Sequence, residues 1–251
     1  MPSTPTPNMR PDIITRLNAI NREFYRVTAT EFDQTRLVAW AGWEALLPYL
    51  RVLPQPVRVL DVGCGNGRFG VFLGEQNVPC IYHGTDNNPA LLALAHTALQ
   101  AYPHITATLT ERDSILQPLT DVQDNHERYD FVGVFGVLHH VPGVVHRLDF
   151  VRALAGRVAE GGTLALAMWR FYEFARFQER IVAWDDDLAP LVEKNDFLLD
   201  WRRGERALRY CHYIDDAEQN TLIHATGLNL LKSYRADGYN NAVNSYVVLQ
   251  K

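Results

Sequence analysis

The chain has 251 residues and a mass of 28.6 kDa, with 24 basic against 29 acidic residues, a formal charge of −5 and a pI near 6.0. Hydrophobic residues at 47% and charged residues at 21% are the balance of an ordinary globular chain, which excludes a disordered protein, a disulfide-stapled miniprotein and a generic nucleic-acid coat. Only Lys194, Lys232 and Lys251 among the basic residues are lysines, so arginine dominates, reflecting either genome composition or a need for bidentate recognition of carboxylate or phosphate.

Prolines at positions 2, 5, 7 and 11 and the lack of an apolar h-region argue against a signal peptide, and a disordered tail is expected over 1–11. Apolar residues then recur at helical spacing (Ile13, Ile14, Leu17, Ile20, later Leu46, Leu47, Leu50), giving N-terminal helices within 12–54. Val57–Val62 reads as a buried strand, followed by a glycine-rich turn and a helix over Arg68–Gln76. A strand over Cys80–Thr85 ends at Asp86, and Pro89 opens a helix to Ala101. Strands are expected at Ile105–Thr110, Tyr129–Phe135 and Thr163–Trp169, with a helix over Val144–Ala159. Residues 170–214 break the alternation with an aromatic and charged stretch, read as an inserted lid; a helix near Asp215–Thr226 and strands at Leu228–Tyr234 and Asn244–Gln250 follow. Strands alternating with helices predict an α/β fold: a doubly wound, Rossmann-like, seven-stranded mixed sheet with helices on both faces and an insert after strand five. Cys64, Cys80 and Cys211 are odd in number and far apart, so neither a disulfide framework nor a metal cluster is readable. No stretch approaches the ~20 apolar residues of a membrane span, and the chain reads as cytoplasmic with no membrane partner.

Asp61-Val-Gly63-Cys-Gly65-Asn-Gly67 sits between a strand and a helix, where glycines let backbone approach a ligand and the helix N-terminus favours polar groups. Gly65-Asn-Gly67-Arg-Phe-Gly70 also fits the dinucleotide fingerprint G-x-G-x-x-G, a weak signal on its own. Asp61 argues against it, because a dehydrogenase keeps an apolar residue there. The loop, the acid ending the second strand and the acid after the third together resemble a class I S-adenosylmethionine-dependent methyltransferase, over about residues 31–250. The resemblance implies a single methyltransferase domain over 12–251 with S-adenosyl-L-methionine as cofactor. Gly63, Gly65 and Gly67 would line its methionine part, Asp86 would accept both ribose hydroxyls, and Asp113 would bond the adenine amino group with Ser114 beside it. Asp61, Asn87 and Phe135 complete that set. Each acid could instead be a helix N-cap.

Phe32-x-x-Thr35-Arg36-x-x-x-Trp40, Val137-Leu-His139-His140, Leu164-Ala-Leu-Ala-Met-Trp169, Arg209-Tyr210-Cys211-His212 and Asn244 narrow the likeness. The chain is similar to the tRNA methyltransferases that esterify 5-carboxymethyluridine at the wobble position. That resemblance implies a substrate pocket at Arg209, Tyr210 and His212, and places Arg36 against the cofactor carboxylate or the substrate. Ala39 and Ser245 depart from the pattern, where the family has a proline and an aromatic. His139 and His140 invite a general-base role, since imidazole titrates near neutrality, although packing explains such a pair more readily.

A carboxylic acid with pKa near ~4 is ionised at neutral pH and needs no base. An arginine with a tyrosine and a histidine could hold one carboxylate oxygen and leave the other to attack. The expected substrate is thus a carboxylate on tRNA or on a small molecule, with O- or N-methylation of a metabolite as the alternative. A non-catalytic cofactor-binding module is the third reading, and a cavity joining Asp86, His139 and Arg209 would count against it. Eukaryotic members of the resembling family need a small activating subunit, which makes one a candidate partner. Arg202, Arg203, Arg206 and Arg209 cluster near Trp201, a pattern suited to nucleic acid. The insert is nonetheless not basic overall, with eight basic and nine acidic residues.

Overall fold

In the computed structural model, residues 8–34, 38–117, 119, 127–202 and 206–251 are described. Helix α1 (Pro11–Gln34) is followed by a 3-10 stretch (Ala41–Leu46) and the short α2 (Leu47–Arg51). Then come β1 (Val57–Val62), α3 (Arg68–Glu75), β2 (Cys80–Asp86), α4 (Pro89–Leu99) and β3 (Ile105–Glu111). β4 (Tyr129–Phe135), α5 (Val144–Arg157) and β5 (Val158–Trp169) complete the parallel part. The insert carries α6 (Ala175–Gln178), β6 (Ile181–Val182), β7 (Asp196–Trp201) and β8 (Ala207–His212). The chain closes with α7 (Asp216–Thr226), β9 (Asn229–Ala236) and β10 (Asn244–Gln250).

The main sheet runs β3-β2-β1-β4-β5-β10-β9. β1 to β5 pair in parallel, as the alternating pattern predicted, and β10 lies antiparallel between β5 and β9. Side chains alternate across a strand, so β1 divides its residues between two cores. Val57 and Val59 join Leu46, Leu50, Phe69, Phe72 and Phe131 on one face. Leu60 and Val62 join Val132, Val134, Val151, Leu154 and Leu222 on the other. This two-faced burial is why the central strands read as continuous apolar runs. It also fixes the carboxyl ends of β1, β2, β4 and β5 in one row.

Three differences from the sequence reading have local causes. Met9 is buried and packs beside Gly143, and α1 already begins at Pro11. β5 starts at Val158 because Tyr129 pairs with Val158 and Phe131 with Thr163; the Gly161-Gly162 step is an irregularity inside the strand. The insert is an antiparallel sheet in the order β6-β7-β8, which alternation alone did not reveal. α1 clamps this small sheet, since Ile13, Ile14 and Leu17 share a core with Leu188 and Tyr210. Burying a side chain such as Leu17 contributes roughly 1.5–3 kcal/mol.

Candidate active site

Asp61 is inside the end of β1, buried, and accepts a hydrogen bond from Tyr82 Oη at 2.6 Å. Burial pushes its carboxyl up to about 7; the Tyr82 bond opposes that rise and the Asp86 charge adds to it. The following turn places Gly63 (φ +72°), Gly65 (φ +54°) and Gly67 (φ +75°) in the left-handed region, which residues with a Cβ adopt at a cost. A Cβ on Gly63 would meet Val137 Cγ2 at 2.3 Å, and one on Gly67 would meet Ala95 Cβ at 2.9 Å. A Cβ on Gly65 would meet no atom within 4 Å: its position faces open space.

That space is a cavity of about 450 Å³ at the carboxyl ends of the strands. At one end it is lined by Asp61, Gly63, Gly65, Asp86, Asn87, Asp113 and Ser114. Asp86 Oδ2 accepts from Gly65 N and Oδ1 from Asn88 N, both at 2.9 Å, so backbone donors orient the carboxylate. Burial raises the Asp86 carboxyl above its usual value, against the bonds from Asn88 and Gly65. Asp113 Oδ1 accepts from Ile115 N and Leu116 N at the start of a turn, and its other oxygen accepts from Asn18 Nδ2 at 2.7 Å. Phe135 lines the cavity from within an aromatic cluster with Trp43 and Phe69.

The residues fit a polar ligand rich in hydroxyl and amino groups and not a pyrophosphate. Three carboxylates face one end of the cavity, and Gly65 N, the donor a dinucleotide phosphate would need, is spent on Asp86. Gly70 packs against Leu99 and Tyr82 instead of approaching a ligand. Ser114 Oγ, Asn18 Oδ1 and Asn21 Oδ1 are buried polar atoms with no hydrogen-bond partner among the described residues, and all three side chains line the cavity. A buried polar atom is costly unless satisfied, so these atoms mark where a ligand completes the site. S-adenosylmethionine, with its ribose diol, adenine amino group and cationic centre, matches this donor set.

The far end is aromatic and cationic. His139 lines the cavity 5.5 Å from the Trp169 ring. His140 lines the cavity too, but both ring nitrogens are engaged: Asn21 and the Tyr210 carbonyl meet its Nδ1, and Tyr25 Oη meets Nε2 at 2.9 Å. The Arg209 guanidinium lies over Trp169 at 4.6 Å and Phe24 at 5.1 Å and lines the cavity. The structure does not bring Tyr210 and His212 there with it. Alternate residues of β8 face opposite sides of its sheet, and both side chains point into a buried ionic network. Tyr210 Oη donates to Asp196 Oδ1 at 2.8 Å, while His212 bonds Asp196 at 2.7 Å and Glu218 at 2.7 Å. Arg147 bridges Glu193 and Glu218 at 2.6 Å each. Burial lowers the His212 pKa, but the bonds to Asp196 and Glu218 outweigh it, so the imidazole titrates above its ordinary value. Arg36 is outside the described residues.

Sequence reasoning missed several wall residues. Asn18, Asn21 and Tyr25 come from α1; the available signal was polar residues at i, i+3 and i+7 on the helix's apolar face. Trp40 and Trp43 stack at 5.4 Å with Arg68 over both. Asp237 anchors that segment: its carboxylate accepts from Gly42 N at 2.8 Å, Asn244 Nδ2 at 2.8 Å and Tyr246 Oη at 2.6 Å. Asn244 lines the cavity beside Asp237 and donates to it.

Comparison with known proteins agrees with this geometry. Residues 32–233 match the family model described as a methyltransferase domain. The chain is 27% identical over 146 residues to the tRNA (carboxymethyluridine(34)-5-O)-methyltransferase of Saccharomyces cerevisiae, covering 58% of this chain and 46% of that protein. It is 28% identical over 151 residues to the trans-aconitate 2-methyltransferase of an Acidovorax species, covering 58% of this chain and 53% of that protein. Thus the chain spans about half the length of these curated relatives. Among solved structures, a SAM-dependent methyltransferase from Methanosarcina mazei superposes with a TM-score of 0.61 at 17% identity, covering 80% of this chain and 95% of that one.

Proposed function

The chain belongs to the class I S-adenosylmethionine-dependent methyltransferases, and from that premise we propose that it methylates a carboxylate oxygen. The observation that carries the reading is Arg209, held between two aromatic rings at the end of the cavity away from the glycine loop, with its Nε buried and without an acceptor among the described residues. The bound cofactor supplies an electrophilic methyl group. Asp86 and the glycine loop orient it, with Ser114, Asn18 and Asn21 satisfying its polar edges. The acceptor is already ionised at neutral pH, so the protein's task is placement and exclusion of water. Arg209 holds one carboxylate oxygen and leaves the other to attack, while Trp169, His139 and Trp201 wall the reaction off. Tyr210 and His212 anchor β8 in the ionic network on its other side.

Two acceptors follow from the relatives. The first is 5-carboxymethyluridine in tRNA, supported by the yeast relative and the Arg-Tyr-x-His segment. The second is a small polycarboxylic acid, supported by the Acidovorax relative. To decide, the protein is incubated with labelled S-adenosylmethionine and either tRNA lacking the ester or small tricarboxylic acids, followed by digestion and ester detection. Labelled ester in one arm identifies the acceptor; label on nitrogen or hydroxyl oxygen in place of a carboxylate overturns the reading. Two proteins, with and without a small activating subunit, complete the tRNA arm.

A further inference from the structure

We infer that Trp201 is a specificity-determining residue for the acceptor: its indole N–H and the Arg209 guanidinium form a seat for one carboxylate oxygen, so the pocket selects a carboxylate over the corresponding amide. This rests on the carboxylate reading and deepens it. Trp201 ends β7 and Arg209 lies on β8. In the small sheet Trp201 pairs with Ala207 and Leu199 with Arg209. Trp201 and Arg209 are therefore diagonal neighbours on one face, a spacing that long and aromatic side chains bridge. Both meet the same ring. Trp201 stands edge-on to Phe24 at 5.5 Å, and the Arg209 guanidinium lies over Phe24 at 5.1 Å. Trp201 is only 9% exposed, so its ring is spent on packing and is not offered to a nucleobase from outside.

Trp201 lines the cavity and also a small recess of about 10 Å³ beside it, a space that suits a single oxygen atom. Trp169 and Arg209 belong to both walls as well, and apolar side chains, Phe24 and Leu199 among them, form most of the rest of the recess. In that setting Trp201 Nε1 and Arg209 Nε are each buried with no hydrogen-bond partner among the described residues. An indole nitrogen and a guanidinium can only donate, so what completes them is an acceptor. Asp200 borders the recess but does not supply it. Its side chain leaves β7 on the face opposite Trp201, and its carboxylate accepts from Arg202 Nε at 3.1 Å. Arg180, which borders the recess too, brings no side-chain acceptor. Two unmet donors are costly in the empty protein, and an incoming carboxylate oxygen satisfies both. An amide nitrogen turned toward them would bring hydrogens of its own, and an amide oxygen there makes the weaker, uncharged bond.

The test is calorimetric titration of the full chain, saturated with S-adenosylhomocysteine, with two acids and their amides. The pairs are 5-carboxymethyluridine with 5-carbamoylmethyluridine, and tricarballylate with tricarballylamide. At least one acid should bind about tenfold or more tightly than its amide, and which one does so separates a modified uridine from a small polycarboxylic acid. Trp201→Phe should weaken that acid about tenfold and its amide only about twofold, with S-adenosylhomocysteine affinity unmoved. Phenylalanine also removes packing volume, so Trp201 is replaced in parallel by benzothienylalanine, which keeps the fused ring and lacks the N–H. There the acid should lose as much affinity while Tm stays near native. Native acid affinity in the benzothienylalanine protein, equal losses for acid and amide, or no preference for either acid overturns the Trp201 assignment, and the carboxylate reading survives wherever an acid is still methylated. If neither acid binds, the two fall together.

Discussion

Gly63 and Gly65 stand two residues apart in one turn, yet they should fail for different reasons when changed to alanine. Both have positive φ, at +72° and +54°, which costs a non-glycine residue about 1–2 kcal/mol. At Gly65 that strain is the whole structural cost, because the new methyl meets no atom within 4 Å. At about 2–4 °C per kcal/mol for a chain of this size, Gly65→Ala should lower Tm by only a few degrees. The methyl instead projects into the cavity beside Asp86, where the cofactor must lie, and S-adenosylhomocysteine affinity should fall about tenfold to a hundredfold. At Gly63 the methyl arrives 2.3 Å from Val137 Cγ2, so the turn carrying His139 must shift. Clash and strain together should cost about 3 kcal/mol or more, with Tm falling by about 6–12 °C. Thermal unfolding and calorimetric titration of both variants separate the two. Native affinity in Gly65→Ala would show that the open space is not the cofactor site.

Further outcomes follow from the charged groups. Asp61, with an ordinary value of 3.8 raised to about 7 in the fold, keeps its proton across a window where the unfolded chain has lost it. Stability should therefore fall as pH rises from about 4 to 7 and stay low above that. Asp61→Asn should raise stability at pH 8 by up to about 4 kcal/mol, at 1.36 kcal/mol per pKa unit, with a smaller gain at pH 5; a less stable variant at pH 8 would contradict the assignment. The Arg147 network predicts a stability effect without a catalytic one. Arg147→Met strands two mostly buried carboxylates and should cost about 3–5 kcal/mol, and Tyr210→Phe about 1–2 kcal/mol, with turnover per folded molecule near native at low temperature. If Tyr210→Phe instead lost activity a hundredfold (about 2.7 kcal/mol) at unchanged Tm, the tyrosine would belong to the chemistry. Because the His212 pKa is raised, its contribution is fully present below about 6.5 and is lost as pH climbs through the higher folded value. His212→Gln should flatten the alkaline side of the Tm profile. Arg209→Gln should lower kcat/KM for the carboxylate acceptor about tenfold to a hundredfold, the worth of one charge-assisted bond, and leave S-adenosylhomocysteine affinity within about twofold; unchanged kcat/KM would remove it from the pocket.

Much of the cofactor half was legible in the chain because its determinants are local. A glycine that must take positive φ, an aspartate at the end of a strand and a proline at the first turn of a helix each announce themselves within a few residues. Asp61, Gly63, Gly65, Asp86, Asn87, Asp113 and Ser114 accordingly meet at one cavity wall. The acceptor half was less legible. Arg-Tyr-Cys-His could be seen as a unit, but which of its side chains faces the void depends on the face of β8 that packs on α1. That packing turns Arg209 in and sends Tyr210 and His212 to Asp196 and Glu218. Asn18, Asn21 and Tyr25 lie on α1, far upstream of the strand-end acids they join in the fold, and their polar spacing at i, i+3 and i+7 is the one local trace they leave.

The sequence by itself determined the class of fold and the carboxylate-rich loop ends where we place the cofactor, because periodicity and turn chemistry act over short stretches, whereas the strand order came from the tertiary structure. Only the tertiary structure decided that Arg209 faces the cavity while Tyr210 and His212 are withdrawn into an ionic network. Those choices are made where α1, the small insert sheet and the β9–β10 hairpin converge, and burial and charge pairing among distant segments leave no periodic trace in the chain.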